Sequence, residues 1–426
     1  MRPAGASRGT SAWLPALIAG FTISIVFLAV LGIMLAAAGP DGLGLSEDRT
    51  TAWIVVVYGL PMIPSLVLTL RHRVPLVLTG NVFALIFFVT LGDRVAFDEL
   101  VGASMLAGAI ILLTAVLGVT ATLARWIPVP IVQGLIAGAV MPFVIGLFSS
   151  LSPGNGSVQL SIVVGSALVG YLLSHRFLGA RLPAVLPAFI AGATAALLTG
   201  SLGEFPTTFS LPVLEPIVPA FSPAALATVT PVLVALMTVQ SNIPSVIYLR
   251  SQGFRAPERT LNLVSGAGTV FGSLLGPVAM SLALPPVLVT SGPAAGDRSL
   301  RYRSTFLPIA TGLLIAVFAS TATDLSVLLP PVLLFGIAGL ALIPALAAAL
   351  AEISRGPLVL GPLFAFAIAL SDMTVFGLDP FFWSLVLGTL TSVLLERDGW
   401  RELRSTGEAG GGDVARGAAA AERPAP

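Results

Sequence analysis

Residues 75–91 read PLVLTGNVFALIFFVTL, and residues 279–294 read AMSLALPPVLVTSGPA. Each stretch begins with apolar residues that suit extended backbone, is interrupted by Gly or Pro, and continues as a short run that can form a helix. Both are shorter than the about 20 apolar residues that a membrane-spanning helix needs. Proline is tolerated in the first helical turn, where an N–H has no intrahelical partner. The two segments therefore predict short half-helices, each preceded by extended chain.

The composition around these segments indicates a membrane protein. Of the 426 residues, 56% are hydrophobic and 10% are charged, and the mean hydropathy is +0.99. A soluble protein usually has about 25% charged residues, so this chain is expected to face the lipid bilayer. The net charge of +1 gives no reason to expect a nucleic-acid partner. The sequence has no cysteine and no cluster of metal-ligating residues, so neither a metal nor a cofactor is predicted.

Apolar runs of suitable length predict fourteen membrane segments. They lie near 12–37, 51–70, 75–91, 99–121, 129–149, 158–174, 183–202, 222–248, 259–276, 279–294, 304–320, 325–350, 356–372 and 380–396. With the N-terminus inside, this count places all but two of the 21 basic residues other than histidine, Arg49 and Arg94, on the inner side. Cytoplasmic loops carry such an excess. We therefore predict a multi-pass protein with both termini cytoplasmic, an N-terminal segment 1–11 and a disordered tail 398–426.

The two broken segments are third and tenth of fourteen, so each is third in its half. Seven is an odd number of spans, so the second half, 222–397, must cross the membrane in the opposite sense to the first, 12–202. Paired broken segments at matching places in two inverted repeats indicate the binding site of a transporter. Two short spans interrupted by Pro and Gly only for packing remain the alternative.

Neutral polar residues are concentrated in the eighth segment, at Gln240, Ser241 and Asn242. They could bind a ligand or join helices by hydrogen bonds. No charged side chain falls in mid-span, so an anion would have to be held by backbone N–H groups at helix starts. The sequence predicts those groups at Gly80, Asn81, Ala283 and Leu284. The candidate binding residues are Thr79, Gly80, Asn81, Gln240, Ser241, Asn242, Ser281, Ala283 and Leu284.

Several stretches resemble the benzoate:proton symporter (BenE) family. They are PVPIVQGLIAG at 128–138 with MPF at 141–143, SNIP at 241–244 with YLR at 248–250, TSGP at 290–293, and FGL at 376–378 with FW at 382–383. The resemblance implies a fold like that of the uracil permeases: an all-α protein of fourteen segments in two inverted repeats, with short strands in segments three and ten. It also implies a core domain, 12–121 plus 222–320, and a gate domain, 129–202 plus 325–396.

The sequence and the resemblance together predict a secondary transporter of a small organic anion in the inner membrane. The resemblance implies an aromatic carboxylate such as benzoate, coupled to protons, and a homodimer is left open. A nucleobase permease, an inorganic-anion permease of the sulfate type and a non-transporting membrane protein remain alternatives. A membrane-embedded enzyme such as a polyprenyl transferase would need Asp-rich motifs or clustered His, which the sequence lacks. We therefore expect no enzymatic activity.

Overall fold

The computed structural model describes residues 13–39, 42–120, 128–152, 157–177, 184–203, 211–371 and 373–403, and most of them are helical. The predicted N-terminal segment 1–11 lies outside the described residues. Within the predicted tail, residues up to 403 continue a helical stretch that starts at 397, and the remainder lies outside the described residues.

The elements of the first half follow the predicted order. They are α1 (Leu14–Ala38), α2 (Glu47–His72), β1 (Leu78–Gly80), α3 (Val82–Leu91), α4 (Phe97–Leu117), α5 (Val129–Ser149), α6 (Val158–Phe177) and α7 (Val185–Leu198). The second half contains α8 (Pro223–Ser251), α9 (Glu258–Gly272), β2 (Met280–Leu282), α10 (Leu284–Ser291), α11 (Phe306–Val317), α12 (Ala319–Leu328), α13 (Pro331–Arg355), α14 (Leu360–Ala369) and α15 (Pro380–Leu395).

Every predicted membrane segment contains one of these helices. In the part of the chain that the structure describes, seven helices are long and apolar enough to cross a membrane, and others, among them α3, α7, α14 and α15, are shorter. The count of fourteen spans therefore stays a prediction. The clearest difference in boundaries is at the twelfth segment, which was expected to start at 325, whereas α12 continues to Leu328 and α13 starts at Pro331. Proline fits that first helical position because its missing N–H would have no partner there.

The two broken segments meet as a pair of short strands. β1 and β2 are antiparallel, with Thr79 opposite Ser281 and Gly80 opposite Met280. The strands expected in segments three and ten are thus present. A two-stranded sheet leaves one edge of each strand unpaired, and an unpaired backbone group inside a membrane protein is costly.

Side chains from neighbouring helices satisfy these strand edges. The Ser65 hydroxyl of α2 accepts the Leu78 N–H at 2.8 Å. The Asn242 Oδ1 of α8 accepts the Leu282 N–H at 2.7 Å, and the Thr269 hydroxyl of α9 accepts the Met280 N–H at 2.9 Å. The strands are therefore held between α2 on one side and α8 and α9 on the other.

Small residues let several helices pack closely. A Cβ on Gly108 of α4 would lie 2.9 Å from the Gly266 carbonyl oxygen of α9, so only glycine fits at that crossing. Helix α5 packs on both α13 and α14, and α6 packs on α7. These contacts group α5, α6, α7, α13 and α14, which all fall in the predicted gate domain. The division into core and gate domains itself stays a prediction.

Candidate substrate-binding site

A small cavity lies where the two half-helices begin. Its volume is about 90 Å³, and α1, α2, α8 and both strand-to-helix junctions contribute to its wall. Eight of the nine residues predicted for the site line it: Thr79, Gly80, Asn81, Gln240, Ser241, Ser281, Ala283 and Leu284. The structure thus brings residues from three distant stretches of chain to one place. Their role in binding stays a prediction.

Asn81 sits at the centre of the polar part of the cavity. Its Oδ1 accepts the N–H groups of Phe83 and Ala84 at 2.9 and 3.3 Å, which caps the start of α3. Its Nδ2 lies within 3.3 Å of Gln240 Oε1 and of Ser281 Oγ, so the amide also joins α3 to α8 and β2. Asparagine suits this position because its amide accepts hydrogen bonds through Oδ1 and donates them through Nδ2.

The polar residues of α8 lie in a π-helical segment, Leu236–Asn242. Such segments are rare and often occur at functional sites. Ser241 donates to the Leu282 carbonyl oxygen at 2.9 Å and receives a hydrogen bond from Ser281 at the same distance. A second π-helical segment, Val55–Gly59 in α2, faces the same cavity through Val57 and Tyr58. Of the helices that flank the strands, α2 and α8 are therefore both distorted at the level of the cavity.

Asn242 is the predicted site residue that does not line the cavity. Its Nδ2 donates to Asn262 Oδ1 at 2.9 Å and to Ser265 Oγ at 3.3 Å. Since its Oδ1 accepts the Leu282 N–H, the side chain ties β2 to α8 and α9. Asn242 therefore supports β2 and does not face the cavity.

The backbone donors at the two helix starts agree with the prediction at Leu284 and differ from it at Asn81 and Ala283. The Asn81 N–H bonds to the Ala279 carbonyl oxygen at 2.9 Å, and the Ala283 N–H bonds to the Val77 carbonyl oxygen at 3.3 Å. The expectation that these two N–H groups face a ligand is therefore wrong, because strand pairing extends one residue beyond each strand. Within the described residues, the N–H groups of Val82 and Leu284 make no hydrogen bond, and both residues line the cavity.

The other wall of the cavity is apolar and aromatic. Phe27 of α1, Tyr58 of α2 and Phe83 of α3 line it, and the Tyr58 hydroxyl donates to the Phe27 carbonyl oxygen at 3.2 Å. Sequence reasoning missed Phe27 and Tyr58, because α1 and the middle of α2 are apolar on every side and no pattern marks the inward face. Phe87 and Phe88, which follow Phe83 in α3, are by contrast buried in the helix core.

The cavity therefore combines two helix N-termini and neutral polar groups with an aromatic wall. No aspartate, glutamate, arginine or histidine lines it within the described chain. Such an arrangement can hold a small anion through backbone N–H groups and a positive dipole end, and an attached ring through apolar contact.

Comparison with known proteins identifies the family of the chain. Residues 10–394 match the family model described as benzoate membrane transport protein (BenE). The chain belongs to this family. It is therefore a membrane transport protein and not an enzyme, as the sequence predicted.

Two curated relatives cover nearly the whole chain. The benzoate membrane transport protein of Acinetobacter baylyi is 27% identical over 388 residues, which are 90% of this chain and 95% of that protein. The inner membrane protein YdcO of Escherichia coli is 26% identical over 390 residues, 89% of this chain and 96% of that protein.

Solved structures of distant sequence share the fold. The murine solute carrier 26 family member A9 anion transporter in the inward-facing state has a TM-score of 0.58 at 12% identity, over 93% of this chain and 73% of that one. The transmembrane domain of the cyanobacterial bicarbonate transporter BicA has a TM-score of 0.52 at 14% identity, over 91% of this chain and 97% of that one. The likeness to uracil permeases stays a prediction.

Proposed function

We propose that the chain is a secondary transporter of a small organic anion, an aromatic carboxylate such as benzoate, in the inner membrane. The cavity carries this proposal, because two helix N-termini and an aromatic wall meet there. The names of the two curated relatives, one a benzoate transport protein and one an inner membrane protein, support the substrate and the location.

In the proposed complex the carboxylate lies between the starts of α3 and α10. The N–H groups of Val82 and Leu284 donate to it, and Gln240 contributes its amide from α8. Two facing helix starts place two positive dipole ends at one anion, which compensates for the missing arginine. The ring of the substrate packs against Phe27 and Phe83, where apolar contact replaces water.

Transport would proceed by alternating access of the core domain relative to the gate domain. Every lining residue of the cavity falls within the proposed core ranges, 12–121 and 222–320. Contacts between the two proposed domains include the Phe87 and Phe381 rings, whose centroids are 5.0 Å apart. A substrate held wholly by the core can therefore be carried past the gate without losing its contacts.

Proton coupling is part of the proposal and rests on the resemblance to proton symporters. Since no carboxylate lines the cavity in the described chain, no acidic side chain there would carry the proton. The proton would instead cross on the protonated substrate, or it would balance the charge of the transported anion. This predicts that an inwardly directed proton gradient drives uptake although the cavity wall contains no acidic residue in the described chain.

The decisive experiment is uptake of labelled benzoate, uracil and sulfate into proteoliposomes with and without an imposed pH gradient. We expect saturable, gradient-driven benzoate uptake that falls strongly in Gln240→Leu. Gln252→Leu, the same change just beyond α8 and outside the cavity, serves as the matched control and keeps full uptake. Uptake of uracil or sulfate in place of benzoate would replace the substrate assignment, and uptake of none of the three would defeat it.

The predicted membrane topology has its own test, because the sequence contains no cysteine. Single cysteines at Leu45→Cys and Arg298→Cys should react with an impermeant thiol reagent from opposite sides of the membrane. Labelling of both positions from one side would contradict the fourteen-span arrangement. Crosslinking of purified protein in vesicles would show whether the transporter forms the homodimer that the sequence leaves open.

A further inference from the structure

A second concavity lies outside the substrate cavity, on the surface of the helix bundle. It is a groove of about 720 Å³ between the start of α1, the end of α2 and the start of α11. Its walls are mainly apolar and include Leu17, Leu70, Phe306 and Ala310, whose side chains are all exposed. Nothing in the described chain covers it.

The ends of the lining helices place the groove at the edge of the hydrocarbon layer. α1 and α2 are both long and apolar enough to cross the membrane, and the groove is formed by the first turn of one and the last turn of the other. Trp13 and Tyr302 also line it. Tryptophan and tyrosine are enriched at this depth, since their rings suit the boundary between acyl chains and headgroups.

An arginine without a carboxylate partner stands in the groove. The guanidinium carbon of Arg303 lies 5.8 Å from the centroid of the Tyr302 ring, and its Nε donates to the Tyr302 hydroxyl at 3.4 Å. No carboxylate of the described residues pairs with it. Residues 62–73 and 296–310 together hold five arginines but only one acidic residue, Asp297. The local charge is therefore positive beside an apolar groove.

We propose that this groove binds an anionic glycerophospholipid. One acyl chain lies along Leu17 and Ala310, and the phosphate lies at Arg303, with the interfacial ring of Tyr302 beside it. The chemistry favours this occupant because it needs both a negative group at the membrane surface and an apolar chain directly beneath it. A zwitterionic lipid would also fit the groove, but Arg303 would attract its headgroup less strongly.

The groove adjoins the segment that ends the half-helix α10. Arg301, two residues before Arg303, donates to the Ser291 carbonyl oxygen at 2.9 Å, and Ser304 donates to the Thr290 carbonyl oxygen at 3.0 Å. These bonds hold the last turn of α10, whose first turn lines the substrate cavity. A lipid at Arg303 would therefore stabilise the segment that positions α10.

The test is native mass spectrometry of protein purified in mild detergent and equilibrated with equal amounts of phosphatidylglycerol and phosphatidylethanolamine. We expect the parent to retain phosphatidylglycerol preferentially. Arg303→Gln should lower that retention about fivefold, the effect of one basic residue near an anionic surface. Arg255→Gln, which removes an exposed arginine outside the groove, should leave it unchanged. Ala310→Trp should lower the retention of both lipids, because its indole would obstruct the path of the acyl chain.

Four outcomes would overturn the proposal. The first is equal retention of the two lipids by the parent, and the second is unchanged phosphatidylglycerol retention in Arg303→Gln. The third is full retention in Ala310→Trp. The fourth is displacement of the lipid by added inorganic phosphate, which would show a phosphate site without an acyl groove. Size-exclusion profiles and melting temperatures equal to the parent's establish that the variants are folded. None of these measurements depends on the transported substrate.

Discussion

Replacing Asn81 with aspartate tests the proposed anion site most directly. Asparagine and aspartate are both good N-cap residues, so Asn81→Asp should keep the cap on the N–H groups of Phe83 and Ala84. The substitution preserves shape but adds a negative charge to the cavity wall and removes the Nδ2 donor to Gln240. The fold should therefore survive while anion binding is lost.

The size of the loss follows from the charge placed at the site. A bound carboxylate in so small a cavity would lie about 4 Å from the introduced one, and at an effective dielectric constant of about 20 the repulsion is about 4 kcal/mol. That energy corresponds to roughly a thousandfold weaker binding. Asn81→Ser is the matched control, because serine also caps helices but carries no charge, and it should weaken binding far less.

The assay is titration of purified protein with benzoate by calorimetry at several pH values. Lowering the pH from about 8 to about 5 protonates a growing fraction of the introduced carboxyl, so the affinity of Asn81→Asp should approach that of the parent at the same pH. Asn81→Asp with parental affinity at pH 8 would refute the placement of the anion at the start of α3. Equal losses in Asn81→Asp and Asn81→Ser would show that the amide, and not the charge, decides binding.

Three further predictions concern stability. Burial opposes ionisation of Glu396, but the N–H groups at the start of α14 and the Ser392 hydroxyl donate to its carboxylate and outweigh burial, so its pKa lies below its ordinary value. The contribution of Glu396 to stability is then present above its unfolded-state pKa and is lost as the pH falls through its folded-state pKa. Glu396→Gln should therefore cost about 1 kcal/mol of stability at neutral pH. The melting temperature of the variant should be lower than the parent's at neutral pH and should converge with it in acid. The Arg94 guanidinium of the proposed core domain lies 3.0 Å from the buried Asp379 carboxylate of the proposed gate domain. A double-mutant cycle of Arg94→Gln and Asp379→Asn should therefore give a coupling free energy of about 1 kcal/mol. A coupling of zero would contradict the contact. A Cβ on Gly80 would lie 2.8 Å from Val57 Cγ1 and 3.2 Å from Val57 Cα. Gly80→Ala should therefore destabilise the protein by about 1–3 kcal/mol, measured by denaturant titration. An unfolding midpoint equal to the parent's would show that α2 can shift to accommodate the methyl group.

The amino-acid sequence determined the class of the protein and the location of the candidate site. Membrane class follows from composition, and the broken segments follow from local runs of apolar residues interrupted by Gly and Pro. These are properties of short stretches, so they can be recognised without knowing what each stretch contacts. Their matching places in two halves predicted the meeting of segments three and ten, and eight candidate residues lie around one cavity.

Only the tertiary structure decided which groups face that cavity. The pairing of β1 with β2 occupies the N–H groups of Asn81 and Ala283 and leaves those of Val82 and Leu284. The aromatic wall depends on which sides of α1 and α2 turn inward. In a lipid bilayer both sides of a helix can be apolar, so the sequence carries no signal that separates the side facing the protein from the side facing lipid. Contact between distant stretches of chain supplies that information.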